Sequence, residues 1–135
     1  MRIYFDENFP RQLAAGFREF EHGDKGGNID VIHVLDEFDK GTPDETWIPD
    51  IARKHGCMIT QDRNIHRLPH QWRLCSAYKV GVFFFQPRKS PPFGYWDWVE
   101  KVFKHWQEIK QAASRQQAPF AFLAKPAKRT LESML

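Results

Sequence analysis

The feature that most constrains this chain is a repeated change of period. Short apolar runs, too brief for helices, alternate with longer stretches whose apolar residues recur every three or four positions. The runs are Ile3 to Phe5, Val31 to Leu35, Cys57 to Thr60 and Val80 to Phe85, and each reads as a buried strand. Between the first two, Leu13, Ala14, Phe17 and Phe20 fall at helical spacing, so Arg11 to Phe20 packs one face on a sheet. Gly41-Thr42-Pro43-Asp44-Glu45 opens a second helix, with Thr42 as N-cap, Pro43 in the first position and Glu45 closing a capping box. That helix runs towards His55 and ends at Gly56, and Pro49 should kink or restart it. Arg63 to Tyr78 reads as a mostly helical connection interrupted at Pro69. After Pro91-Pro92 a long helix carries Val99, Val102, Phe103, Trp106, Ile109 and Ala113 as its buried stripe. Phe120 to Leu123, bracketed by prolines, reads as an edge strand.

This alternation specifies an α/β fold, a three-layer α/β/α sandwich around a mainly parallel five-stranded sheet. The 135 residues, 41% of them hydrophobic, suit one domain over residues 1–126, followed by a short basic tail, 127–135, expected to fray. Two cysteines, Cys57 and Cys75, make no disulfide framework and point to a reducing compartment. The first residues are too quickly charged for a signal peptide and no apolar run is long enough to span a bilayer, so the expected location is cytoplasmic.

Charge is divided unevenly. Residues 1–62 hold 7 Lys and Arg against 13 Asp and Glu, a balance of −6, and residues 63–135 hold 13 against 4, a balance of +9. Three strands each end in an acid: Asp6, Asp36 and Asp62. A parallel sheet brings those ends to one edge, where ligands bind in open α/β folds. Asp44 joins them by helix geometry, since it shares a stripe with Ile48, Ile51 and His55 that must face the sheet. One acid after a strand can simply cap the next helix; it is the convergence of several that asks for a cation, because a buried lone carboxylate costs several kcal/mol.

Clustered carboxylates with few nearby histidines form a ligand set for Mg²⁺ or Mn²⁺ rather than zinc. For Asp6 and Asp62 to share an ion, the first and third strands must be neighbours, which gives the strand order 2-1-3-4-5 and a switch point between them. Asp36 competes with Asp44 for the third corner; Asp44 is preferred because Asp36 would sit at the rim.

Three pieces of the sequence, Ile-Tyr-Phe-Asp-Glu-Asn-Phe-Pro (residues 3–10), Gly-Thr-Pro-Asp-Glu-Thr-Trp-Ile (41–48) and Met-Ile-Thr-Gln-Asp-Arg (58–63), together resemble the PIN-like nuclease superfamily. The likeness is to its compact branch with the VapC-type toxin relatives, and the third piece is similar to that superfamily's Thr-x-Asp signature. The resemblance covers about residues 1–86. It implies a Mg²⁺- or Mn²⁺-dependent endoribonuclease, often the toxin of a toxin–antitoxin pair, with an RNA substrate and an antitoxin protein as partners; a homodimer is an allowed assembly. Carried over by position, Asp6 is the first-strand acid, Asp44 or Glu45 the mid-chain acid and Asp62 the Thr-x-Asp acid, so the catalytic set is Asp6, Asp44, Glu45 and Asp62 and the metal ligands are Asp6, Asp44 and Asp62. Glu7 or Glu45 supports them through water. Where many relatives have a further acid, this chain reads Arg63, Asn64 and Ile65, which leaves open one ion or two.

The basic second half adds Arg63 and Arg67 close after Asp62, suited to bidentate contact with phosphate. Arg88, Lys89, Lys101, Lys104 and Lys110 either extend a phosphate track or solubilise the long helix. Tyr95, Trp96 and Trp98 either stack on unpaired bases or belong to the core. His66 and His70 with Cys57 and Cys75 match no common zinc spacing.

Overall fold

The structure is a computed structural model that describes residues 1–61, 67–115 and 117–134, with Arg67 and Leu68 described by their backbone alone. The apolar runs pair as strands β1 (Arg2–Phe5), β2 (Asp30–His33), β3 (Gly56–Gln61), β4 (Gly81–Phe85) and β5 (Ala121–Ala124). The helices between them are α1 (Arg11–His22), α2 (Asp44–Arg53), α3 (Arg67–Tyr78) and α4 (Tyr95–Arg115). Sheet order is β2-β1-β3-β4-β5, as the acids required, and these five strands are parallel. A sixth strand, β6 (Glu132–Ser133), then adds antiparallel to β5. The sheet therefore has six strands rather than five.

Alternating side chains send successive strand residues to opposite faces. Ile3, Phe5, Cys57, Ile59, Phe83 and Phe85 meet Leu13 and Phe17 of α1 and Trp98, Val102 and Trp106 of α4. Tyr4, Met58, Val82 and Phe84 meet Trp47, Ile48 and Ile51 of α2 and Cys75 of α3. These are the two cores of a three-layer sandwich.

Local departures from the sequence reading have side-chain causes. β2 stops at His33, because the His33 ring accepts the Leu35 N–H and Asp36 accepts the His33 N–H. That reciprocal cap turns Val34–Asp36 into a 3₁₀ turn instead of extending the ladder. The N-cap of α2 is Pro43, one residue later than expected, and the Thr42 hydroxyl donates to the Asp39 carbonyl. Helix α2 runs through Pro49 without a break. Burial of Ile48 and Ile51, worth roughly 1.5–3 kcal/mol each, offsets the roughly 3 kcal/mol that an interior proline costs. Pro69 falls in the first turn of α3, where its missing N–H has no helical acceptor to lose. The left-handed residue after α2 is His55 (φ 55°) rather than Gly56. Gly56 is required for another reason: a Cβ there would lie 2.8 Å from the Tyr4 ring.

Helix α4 is rotated from its expected stripe. Trp98, Val102, His105, Trp106 and Ile109 are buried, whereas Phe103 is 63% exposed. Trp98 is thus a core residue, in edge contact with Phe9 and Phe93. Two lysines read as either part of a phosphate track or solubilising surface are instead turned inward. Lys101 is buried and donates to the carbonyls of Lys125, Pro126 and Lys128, and Lys110 pairs with buried Glu21 at 2.8 Å. Residues 127–134, expected to fray, are held by Lys101, by Glu108 accepting the Leu131 N–H, and by β6. Among the described residues no helix is long and apolar enough to cross a membrane.

Candidate active site

β1 ends at Phe5, and the chain then turns over the carboxyl edge between its two neighbours. Both neighbours hold the turn. From β3, the Ile59 carbonyl accepts the Asp6 N–H at 3.0 Å and the Gln61 side-chain amide donates to the Asn8 carbonyl at 2.9 Å. From β2, His33 Nε2 meets the Phe9 carbonyl at 2.7 Å. Because His33 Nδ1 already accepts the Leu35 N–H, Nε2 must carry the proton, so the ring is a neutral donor at that bond. The Phe9 ring anchors the turn from below, against Phe5 and Trp98.

This frame presents Asp6. Asp6 is only 4% exposed; its Oδ1 accepts the Asn8 N–H at 3.1 Å, and Oδ2 accepts the Asn8 side-chain amide at 3.3 Å and the Thr60 hydroxyl. Asp44, in the first turn of α2, is 8% exposed and buried with Ile48 and Ile51. The Trp47 indole N–H donates to its Oδ1 at 3.1 Å. Trp47 also lines, with Asp6, Glu7 and Asp39, a small cleft of about 20 Å³ at this edge, while Asp44 lies behind Trp47 as the acceptor of its indole N–H. A cleft of that size holds about one water.

Two other candidate acids, Glu45 and Asp36, have partners of their own. Glu45 is exposed and its carboxylate is 2.7 Å from His70 Nε2, which bridges α2 to α3. Its own backbone N–H, and then His70, hold that carboxyl below the usual range. Asp36 lies at the edge strand and is taken by Arg11; partial burial pushes its pKa up, but Arg11 and the His33 N–H outweigh this and leave it lowered. Asp62 follows Gln61 directly in the chain, and Asp62, Arg63, Asn64 and His66 lie outside the described residues, as does the Arg67 side chain. Among the described residues no three His, Cys, Asp or Glu side chains gather as an ion-binding group. The described groups bonded to Asp6 and Asp44 are hydrogen-bond donors, the Asn8 amides and Thr60 hydroxyl on Asp6 and the Trp47 indole on Asp44, so the oxygen ligands these acids would present to an ion are the carboxylates themselves.

A zinc site on the cysteines is ruled out by position. Cys57 and Cys75 belong to cores on opposite faces of the sheet. Burial pushes both thiols up to about 12, with the Asp44 charge adding to Cys75, and zinc binds the thiolate. Sequence reasoning passed over Asn8, Trp47 and Asp39. Asn8 carried a signal, standing two residues after Asp6 where an acid's side chain commonly receives a backbone N–H; Trp47 and Asp39 carried none. Thr60, by contrast, stood in the Thr-x-Asp piece.

A family model described as PIN-like domain matches residues 1–87, the span holding β1 to β4 and both buried acids. No curated protein and no solved structure gives a match. The chain belongs to the PIN-like domain family.

Proposed function

We propose that this protein is a divalent-metal-dependent endoribonuclease, the toxin component of a toxin–antitoxin pair of the VapC type. The observation that carries the reading is the pair of buried carboxylates, Asp6 and Asp44, at the carboxyl edge where the sheet order reverses. Family membership supports nuclease chemistry there. In this reading Asp6, Asp44 and Asp62 hold Mg²⁺ or Mn²⁺, which supplies charge neutralisation at a phosphoryl oxygen and acidifies water.

The chain's own groups do the positioning. Thr60 and Asn8 fix the Asp6 carboxylate, and Trp47 fixes that of Asp44. Arg63 and Arg67 contact substrate phosphate. Glu45, paired with His70, or Glu7 supports Asp6, Asp44 and Asp62 through water. The reaction is hydrolysis of a phosphodiester with water as nucleophile, and no side chain forms a covalent bond to substrate. The antitoxin covers the acidic opening and docks on exposed aromatics such as Tyr95 and Trp96.

Labelled RNA incubated with and without Mn²⁺ tests this. Cleavage should require Mn²⁺ and be lost in Asp6→Asn and Asp62→Asn; equal cleavage by all three proteins would remove the site assignment. A second reading, a silent PIN-like module that binds RNA or protein, is favoured by one observation, the run Arg63-Asn64-Ile65 where a further acid is common. It predicts RNA binding that survives Asp6→Asn, with no Mn²⁺-dependent cleavage by the wild type.

A further inference from the structure

The family match ends at residue 87, and a groove of about 530 Å³ lies wholly beyond it, between α4 and the loop after β5. It opens at the carboxyl ends of β4 and β5, on the same edge as Asp6. β4 and β5 are two and three strands from β1 in the sheet, so the groove starts roughly 10 Å from Asp6 along the edge and the loop after β5 lies roughly 14 Å from it.

Its walls carry Arg88, Lys104, Lys128 and Arg129 with Asp97 and Glu100. Both acids have local partners: Arg88 lies 3.7 Å from Asp97, and Lys104 lies 2.9 Å from Glu100. The excess positive charge is therefore carried by Lys101, which is buried against carbonyls, and by Lys128 and Arg129, both exposed.

The loop that bears them is built to stay in place. Lys101, only 7% exposed, donates to three of its carbonyls, those of Lys125, Pro126 and Lys128. Leu131 is tied to Glu108, and β6 pairs with β5 just beyond. Burying an ammonium is expensive, and here it fixes a loop whose exposed tip consists of cations. Fixing cations in advance lowers the ordering cost of binding an anion. In the first turn of α4, beside the groove, Tyr95 and the 76%-exposed Trp96 form an edge-to-face pair, a surface on which unpaired bases can stack.

We infer that the groove formed by α4 and residues 125–129 binds the phosphate backbone of single-stranded RNA, with Lys128 and Arg129 as its principal contacts. The inference rests on the reading that this chain acts on RNA, and it gives the substrate a second hold about three strand spacings from Asp6. A strand lying across the edge would reach both.

The test is fluorescence anisotropy of a labelled single-stranded oligoribonucleotide in EDTA, over a range of salt concentrations. Each phosphate contact on a single strand contributes about 0.7 to the slope of log affinity against log salt. Lys128→Ala/Arg129→Ala should lower that slope by about 1.4 and weaken binding roughly tenfold near 0.15 M salt. Trp96→Ala should weaken binding without changing the slope, and Lys25→Ala, an exposed cation in the loop between α1 and β2, should leave both unchanged. Unaltered affinity and slope in the double variant would overturn the inference, as would equal displacement of the RNA by polyglutamate, which would make the groove a site for an acidic protein. Because EDTA removes any dependence on cleavage, loss of groove binding and loss of Mn²⁺-dependent hydrolysis are separate results.

Discussion

Replacing Thr60 by valine isolates the bond that steadies Asp6. Thr60 is 1% exposed and its hydroxyl donates to Asp6 Oδ2. Valine keeps the shape and β-branching that suit β3 but offers a methyl group instead. A hydrogen bond to a charged group is worth about 1.5–3 kcal/mol, and the added apolar contact returns up to about 0.8 kcal/mol. Asn8 still donates to both carboxylate oxygens, so the acid is not orphaned and the net loss should be about 1–2 kcal/mol. For a chain of 135 residues that corresponds to a midpoint lowered by about 3–10 °C. Thermal and urea unfolding followed by far-UV circular dichroism would measure it, alone and in an Asp6→Ala background. Most of the cost should vanish in that background, where the acceptor is gone. If Thr60→Val costs the same with and without Asp6, with coupling below about 0.5 kcal/mol, the hydroxyl does not hold the acid and the derivation of the site fails at its first step.

Two further outcomes follow from packing and burial. Gly81→Ala would place a Cβ 2.0 Å from the Phe120 ring, which is itself packed against Phe83 and Phe122. The ring must shift, so the urea midpoint should fall by the equivalent of about 1–3 kcal/mol with an unchanged m-value. His105 is fully buried, and burial depresses its pKa from 6.5, with Glu108 opposing. The unfolded chain therefore binds the proton more readily, and the stability gained by keeping this ring neutral is complete above pH 6.5 and declines as pH falls below it. His105→Phe, beside Phe85, should remove that decline; pH-dependent urea midpoints of the two proteins that stay parallel down to pH 5 would contradict this.

The strand order was legible because several acids at strand ends left few arrangements that could bring them together. Asp44 was legible from a single turn of helix, since Ile48 and Ile51 fix which side faces the sheet. The face of α4 was not. Trp96, Val99 and Phe103 make one apolar line, and Trp98, Val102 and Trp106 make another; spacing alone does not say which one the sheet covers. Lys101 and Lys110 misled for a related reason, because a lysine's charge says nothing about whether carbonyls or a buried glutamate wait across the chain. Leu131 to Ser133 read as a fraying end because the pairing that orders them, β6 with β5 and Leu131 with Glu108, is long-range. Trp47 was invisible as a partner of Asp44: the donor lies three residues on, a spacing common to every helix.

The most direct measurement of whether the buried acids hold a divalent ion is the thermal midpoint of the wild type, Asp6→Asn and Asp44→Asn across a Mn²⁺ titration. A ligand bound only by the folded state adds about 2.7 kcal/mol of stability at a hundredfold excess over its dissociation constant. The wild-type midpoint should climb along that curve while both variants stay flat. A climb of equal size in all three proteins, or none in the wild type, would mean that Asp6 and Asp44 do not form the ion site and that the carboxyl edge is not where hydrolysis takes place.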